Sequence, residues 1–195
     1  MARSVPSSPS SLNSNKLGES AFNRMEKIPA ELLAITYGAL VRQMFVDHNE
    51  NAEVINQQLD ALGERIGVRL IEEYAARSGA PPCTNFATAA ESCGRIGLKM
   101  FLGVNANVEN AGDGLFSISF DDNPLNMFVD LPPALRGQLW YSNVLCGVVR
   151  GAMGQVGMRT EVSFVRDVLR GDDTNELRIR FKGKEKDPFR VDTNK

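Results

Sequence analysis

The side chains of this sequence best suited to chemistry are three thiols, Cys83, Cys93 and Cys146, and one imidazole, His48. Cys83 follows Pro81-Pro82 and comes just before a predicted helix capped by Thr84 or Asn85. At a helix N-terminus the dipole and the free amide hydrogens favour the thiolate, so this thiol should be more nucleophilic than a buried one. Cys93 and Cys146 fall inside predicted helices and read as small core residues. Three cysteines at wide, irregular spacing make no disulfide framework and suit a reducing compartment. With one histidine and no CxxC pair, thiolates and imidazoles alone cannot assemble a four-ligand zinc site, so no metal is expected. His48 ends the first predicted helix, where the dipole favours a cation. Spacing leaves a Cys83–His48 dyad open, since catalytic partners need only meet in space. Turn chemistry accounts for Asp121 and Asp122 more simply than a metal site shared with Asp130 would. No GxxxxGK[ST] loop is present, so the chain itself is not expected to bind GTP.

Charge offers a second candidate. Arg178, Arg180, Lys182 and Lys184, extended by Lys186, alternate with Leu177, Ile179 and Phe181, which puts the cations on one face of a strand. Such a face suits an acidic protein or anionic lipid, the latter at roughly 1 kcal/mol per residue near the surface. The plainer reading is the solvated side of an edge strand, where lysine also discourages aggregation.

These residues must be positioned by a chain of 195 residues, 43% hydrophobic and 24% charged, with a net charge of −2. That fits one globular domain plus tails and excludes a global basic field. The longest apolar runs are too short for a bilayer helix and the N-terminus lacks an h-region. A cytoplasmic protein is expected, or one peripheral on the cytosolic face of a membrane. Residues 1–26 are rich in serine and poor in apolar residues, and read as a disordered spacer. Pro29 opens a helix to about 47, and a longer one runs from about 52 to 77 along Ile55, Leu59, Leu62, Ile66 and Leu70, then stops at Gly79 and two prolines. A third covers about 85–102, with Phe86 and Ala90 on its core face and Gly94 and Gly97 interrupting it. A fourth covers about 137–155 and is apolar on more than one face, marking it as the central helix. Strands are expected at 115–120, at 127–131, and in a C-terminal hairpin turning at Gly171-Asp172-Asp173. The fold class is α+β, a helical layer packed on a four-stranded antiparallel sheet. One domain spans 27–186, with a flexible tail over 187–195.

Several longer words carry a resemblance: Thr36-Tyr37-Gly38-Ala39-Leu40-Val41, Gly67-Val68-Arg69-Leu70-Ile71-Glu72, Lys99-Met100-Phe101-Leu102-Gly103, Asn123-Pro124-Leu125 and Tyr141-Ser142-Asn143-Val144-Leu145-Cys146-Gly147. In this order and spacing the chain resembles the Bet-three-type subunits of the transport protein particle (TRAPP), over about residues 27–184. The resemblance implies a non-enzymatic subunit of a vesicle-tethering complex acting between endoplasmic reticulum and Golgi. It implies pairing with sister subunits through the first two predicted helices. It also implies that the assembled complex, through a composite surface, exchanges nucleotide on a Rab-type GTPase; the basic row of Arg178, Arg180, Lys182 and Lys184 could meet that GTPase, an acidic neighbouring subunit or anionic lipid. Apolar residues that spill beyond one stripe, notably Ile35, Phe45, Val54 and Ile71, suit such a partner surface.

The resemblance further implies that Cys83 carries a palmitate or similar acyl chain in thioester linkage, sheltered in a tunnel inside the domain. Phe86, Ala90, Gly94 and Gly97 are the expected lining, because residues without side chains leave a groove where an alkyl chain can approach the backbone. Pro82 departs from the basic residue usual at that position in the family. The rival reading is a stand-alone homodimeric sensor of the same fold that binds a free apolar molecule reversibly.

Overall fold

The structure, a computed structural model, describes residues 9–184. Helix α1 (Pro9–Arg24) leads into α2 (Ala30–Asp47) and α3 (Ala52–Arg77). A continuous helical stretch follows, made of α4 (Phe86–Glu91), a π-helical segment (Ser92–Gly97) and α5 (Leu98–Leu102). Strands β1 (Asn107–Gly112) and β2 (Leu115–Phe120) form a hairpin, then short α6 (Pro133–Arg136) precedes α7 (Val144–Gln155). The hairpin β3 (Met158–Arg166) and β4 (Asn175–Lys184) completes an antiparallel sheet of order β1-β2-β4-β3.

Helix boundaries follow local chemistry. Asn51 caps α3 by accepting from the Val54 amide at 3.2 Å. Asn85 caps α4 reciprocally: its side chain accepts from the Thr88 amide at 2.9 Å while its own amide donates to the Thr88 hydroxyl at 3.3 Å. Alternation builds the sheet's inner face, with Ile118, Leu177 and Ile179 fully buried beneath the helices.

Helices α3 and α7 form the centre of the helical layer and meet backbone to backbone. A Cβ added to Gly63 or Gly67 would lie 2.0–2.1 Å from the Val144 or Val148 carbonyl oxygen. One added to Gly147 or Gly151 would lie 2.0 or 2.2 Å from the Asp60 or Glu64 carbonyl oxygen. Only glycine, four residues apart on both helices, allows this approach. Arg150 straddles the same contact and reaches Asp60 at 2.6 Å and Glu64 at 3.0 Å.

Several expectations are corrected. Residues 9–24 are helical, and Ala21 is fully buried. The described body therefore begins before position 27. The helix docks through small residues, so its sequence lacks the broad apolar stripe that usually announces one. Residues 1–8 and the expected tail 187–195, together with Lys186, lie outside the described residues. Positions 127–131 do not form a strand, because Pro124–Asn126 winds into a 3-10 turn and the Val129 amide bonds back to the Asn126 carbonyl at 3.2 Å. The fourth strand is instead β1, where only Val108 is buried, so it shows no alternation. The final helix starts at Val144; Trp140 precedes it and stacks on Phe164 with the Arg170 guanidinium 3.7 Å above its ring.

Asp167 is fully buried at the start of a 3-10 turn, where one oxygen accepts from the Leu169 amide at 2.9 Å. The other oxygen sits beside Asn126 with no well-formed hydrogen bond. Burial pushes this carboxyl above its ordinary value, the Leu169 amide and Arg170 opposing. The native state thus holds the proton more tightly than the unfolded chain, so Asp167 adds stability as pH falls from its raised native value toward the ordinary carboxylate range and loses it above. Asp167→Asn keeps the capping acceptor and removes the charge. Its Tm is expected to exceed the wild-type value at neutral pH, and the gap is expected to shrink on acidification, as parallel thermal melts would read.

Candidate functional site

Between the helices lies a cavity of about 550 Å³ with almost wholly apolar walls, within the roughly 300–1,000 Å³ usual for small-molecule sites. α3 contributes Ile66, Leu70, Ile71 and Tyr74; α7 contributes residues from Val144 to Met153, with Val156 just past its end. Val144 and Met153 are about 14 Å apart along the helix axis at 1.5 Å per residue. Leu33 and Tyr37 of α2 and Leu125 of the 3-10 turn close other sides. Phe22 and residues 25–28 complete one wall.

Cys83 also lines the cavity, half-buried. Its thiol donates weakly to the Thr88 carbonyl at 3.9 Å. The Thr88 amide that might have faced the thiol is taken by the Asn85 side chain. Nucleophilicity here therefore rests less on free amides than the sequence position implied.

The long helix turns two faces to two neighbours. Of its expected lining residues, only Gly97 reaches the cavity. Phe86 packs against the sheet, edge-on to Phe116 at 5.4 Å and stacked on Phe181 at 5.1 Å. Ala90 is fully buried in the core. A Cβ on Gly94 would meet Val108 at 2.4 Å and Ile118 at 3.3 Å, so this glycine admits β1 and β2, not an alkyl chain. Positions 86, 90 and 94 are one helical stripe, and that stripe faces the strands. The cavity face is Ala89, Ser92, Cys93, Gly97 and Met100, its spacing shifted by the extra residue of the π-helical segment. The other walls were signalled in the sequence by the apolar surplus on the second and fourth predicted helices.

Cys93 shares the cavity with Cys83, and burial, then the neighbouring Cys83, pushes its thiol up to about 12. The surface it retains lies on the cavity wall. Cys146 is buried, and burial raises it as well. In unacylated protein near neutral pH, iodoacetamide is expected to modify Cys83, and Cys93 and Cys146 only after unfolding. Peptide mass mapping checks this.

His48 follows α2 as its C-cap and does not line the cavity with Cys83. The basic residues Arg178, Arg180, Lys182 and Lys184 are exposed on the outer face of the sheet. Their strand, β4, is not an edge, because β2 and β3 flank it. Carboxylates interrupt the row: Lys182 pairs with Glu161 at 2.5 Å and Arg178 with Glu176 at 3.3 Å. Asp121 accepts from the Thr174 hydroxyl at 3.0 Å and Asp130 pairs with Arg136 at 3.1 Å. Among the described residues no group of His, Cys, Asp and Glu could hold a metal ion, and no helix is long and apolar enough to cross a membrane.

Residues 33–180 match the family of the transport protein particle (TRAPP) component. The chain is 46% identical over 167 residues to trafficking protein particle complex subunit 3 of Dictyostelium discoideum, covering 85% of this chain and 89% of that protein. It is 40% identical over 173 residues to transport protein particle subunit bet3 of Schizosaccharomyces pombe, covering 88% and 93%. Among solved structures it resembles a trafficking protein particle complex subunit 3 from Naegleria fowleri covalently bound to palmitic acid. That match has a TM-score of 0.79 and 46% identity, over 83% of this chain and 100% of the other. An H-NOX protein from S. oneidensis, 12% identical with a TM-score of 0.54 over 89% of each chain, shares the fold alone.

Proposed function

This chain belongs to the TRAPP component family, and from that premise we propose that it is a scaffold subunit of a vesicle-tethering complex working between endoplasmic reticulum and Golgi. Its internal cavity holds a palmitoyl or similar chain bound to Cys83. The observation that carries the lipid reading is the apolar cavity of about 550 Å³ with the half-buried Cys83 among the thiols on its wall. The solved relative bound covalently to palmitic acid supports it. Burying such a chain gains about 0.8 kcal/mol per methylene, so the lipid acts as core, and a tail sheltered there does not also anchor the protein to a bilayer.

Acylation at Cys83 is a thiol exchange. The sulfur attacks the carbonyl of a long-chain acyl coenzyme A, a new carbon–sulfur bond forms, and the bond to the coenzyme breaks. The coenzyme leaves as a thiolate and takes up the proton that Cys83 gave. Nothing is oxidised or reduced.

Sister subunits are the partners that the family supports. The surface we assign to them is α2, where Leu32, Ile35 and Val46 are each more than half exposed. Val68 extends apolar exposure onto α3. Exchange on a Rab-type GTPase is assigned to the assembled complex, with this chain contributing to a composite surface that includes the Arg178–Lys184 face. Location at cis-Golgi and endoplasmic reticulum follows from that assembly. Affinity purification of the full chain from its native cell tests the scaffold reading. Recovery of a fixed set of small tethering subunits supports it, and recovery of the chain alone overturns it.

A further inference from the structure

The wall of the cavity made by Phe22 and residues 25–28 is carried by α1 and the segment that follows it, and α1 touches the body over a narrow strip. Gly18 lies so close to the π-helical segment that a Cβ there would be 2.6 Å from the Arg95 carbonyl oxygen and 3.2 Å from Lys99. Ala21 is fully buried beside it, and the Phe22 ring sits where a Cβ on Gly103 would be 3.2 Å away. Glu19 pairs with Lys99 at 2.9 Å, and the Arg24 guanidinium donates to the Arg77 carbonyl at 3.1 Å, next to the loop that carries Cys83. Lys27 and Lys99 lie over the Phe22 ring at 4.4 and 5.2 Å.

We infer that α1 is a strap that closes the acyl cavity, so that the chain gains access to Cys83 when α1 lifts and holds α1 down once it is seated. This rests on the acyl-cavity reading above. Two small residues and one ring supply the buried contact, and Glu19 in the main ion pair is 54% exposed, so the strap opens at small cost. The opposite walls belong to α3 and α7, which are joined backbone to backbone and do not part without unfolding the centre of the domain. A seated chain contacts Phe22, Met25 and Ile28 from inside, contacts that exist only while α1 is docked. Occupancy and docking are therefore linked, each favouring the other.

The test uses the full chain and two probes. Palmitoyl coenzyme A reads Cys83 acylation by intact mass against time, and a fluorescent long-chain fatty acid reads uptake without covalent chemistry by stopped flow. Gly18→Leu collides with the Arg95 backbone and keeps α1 undocked. If access waits on the open fraction, both rates rise at least about tenfold when that state becomes dominant. Glu19→Lys raises both rates, and adding Lys99→Glu returns them toward wild type. Hydrogen exchange over residues 12–27 slows when wild type is acylated and stays fast in Gly18→Leu. Acylation and uptake at wild-type rates in Gly18→Leu overturn the strap and leave the acyl reading standing. Faster fatty-acid uptake in Gly18→Leu with no mass gain on Cys83 in either protein overturns the thioester and leaves the strap. Uptake of neither probe by either protein overturns both.

Discussion

Replacing Cys83 by serine is expected to remove one hydroxylamine-labile acyl group and to lower the melting temperature of the protein by roughly 10 °C. A palmitoyl chain taken from water gains on the order of 10 kcal/mol at 0.8 kcal/mol per methylene, which is a ceiling. The unacylated cavity relaxes and recovers part of that. If a third of it is realised, about 3 kcal/mol, the shift is about 6–12 °C for a domain of this size. The comparison is between acylated wild type, unacylated wild type and Cys83→Ser, by intact mass and calorimetry. The last two should melt together, well below the first. If fully acylated protein melts with the variant, the chain lies outside the core and the cavity is not its site.

The largest loss is expected at the junction of α3 and α7. Gly147→Val places a branched side chain where a single Cβ already falls 2.0 Å from the Asp60 carbonyl oxygen. The obstacle is backbone, so no rotamer relieves it. The helices cannot separate at this glycine without breaking three neighbouring approaches at Gly63, Gly67 and Gly151. Gly147→Val should therefore yield no soluble folded protein, and Gly67→Ala should lose at least about 4 kcal/mol, beyond ordinary overpacking. Gly137→Ala is the control, since a Cβ there meets nothing within 4 Å, and its change should stay within about 0.5 kcal/mol. Circular dichroism and denaturant titration separate the three. A folded Gly147→Val with wild-type stability would contradict the described packing.

The sequence announces those elements whose apolar residues recur with a single period. The Ile55 to Leu70 stripe marked α3, and the alternation of Leu177, Ile179 and Phe181 marked β4 and its faces. The helix layer over an antiparallel sheet followed from their order. Elements that bury little were invisible. β1 hides one side chain, Val108, and α1 docks through Gly18 and Ala21, residues that look like filler in a serine-rich stretch. Cys83 stood out as a thiol after two prolines and before a helix cap, and the structure puts it among the cavity residues; the acyl role comes from the family resemblance. The lining was misread for a geometric reason. Phe86, Ala90 and Gly94 share a stripe, and periodicity shows that residues share a face without telling which neighbour the face meets. Gly94 makes room, as expected of it, but the room is filled by Val108 and Ile118. The cavity itself is a property of helices that the chain brings together from distant positions, and no local window holds it.

That distance sets an order of events during synthesis. Asp60 and Arg150 are 90 positions apart, and ribosomes add about 5–20 residues per second, so α3 emerges roughly five to twenty seconds before its partner. Through that interval its glycine groove has no α7 to fill it. On the acyl reading proposed above, the fatty guest is received only after α7 has left the ribosome, which would make lipid loading a late step of maturation, performed on a polypeptide already largely folded.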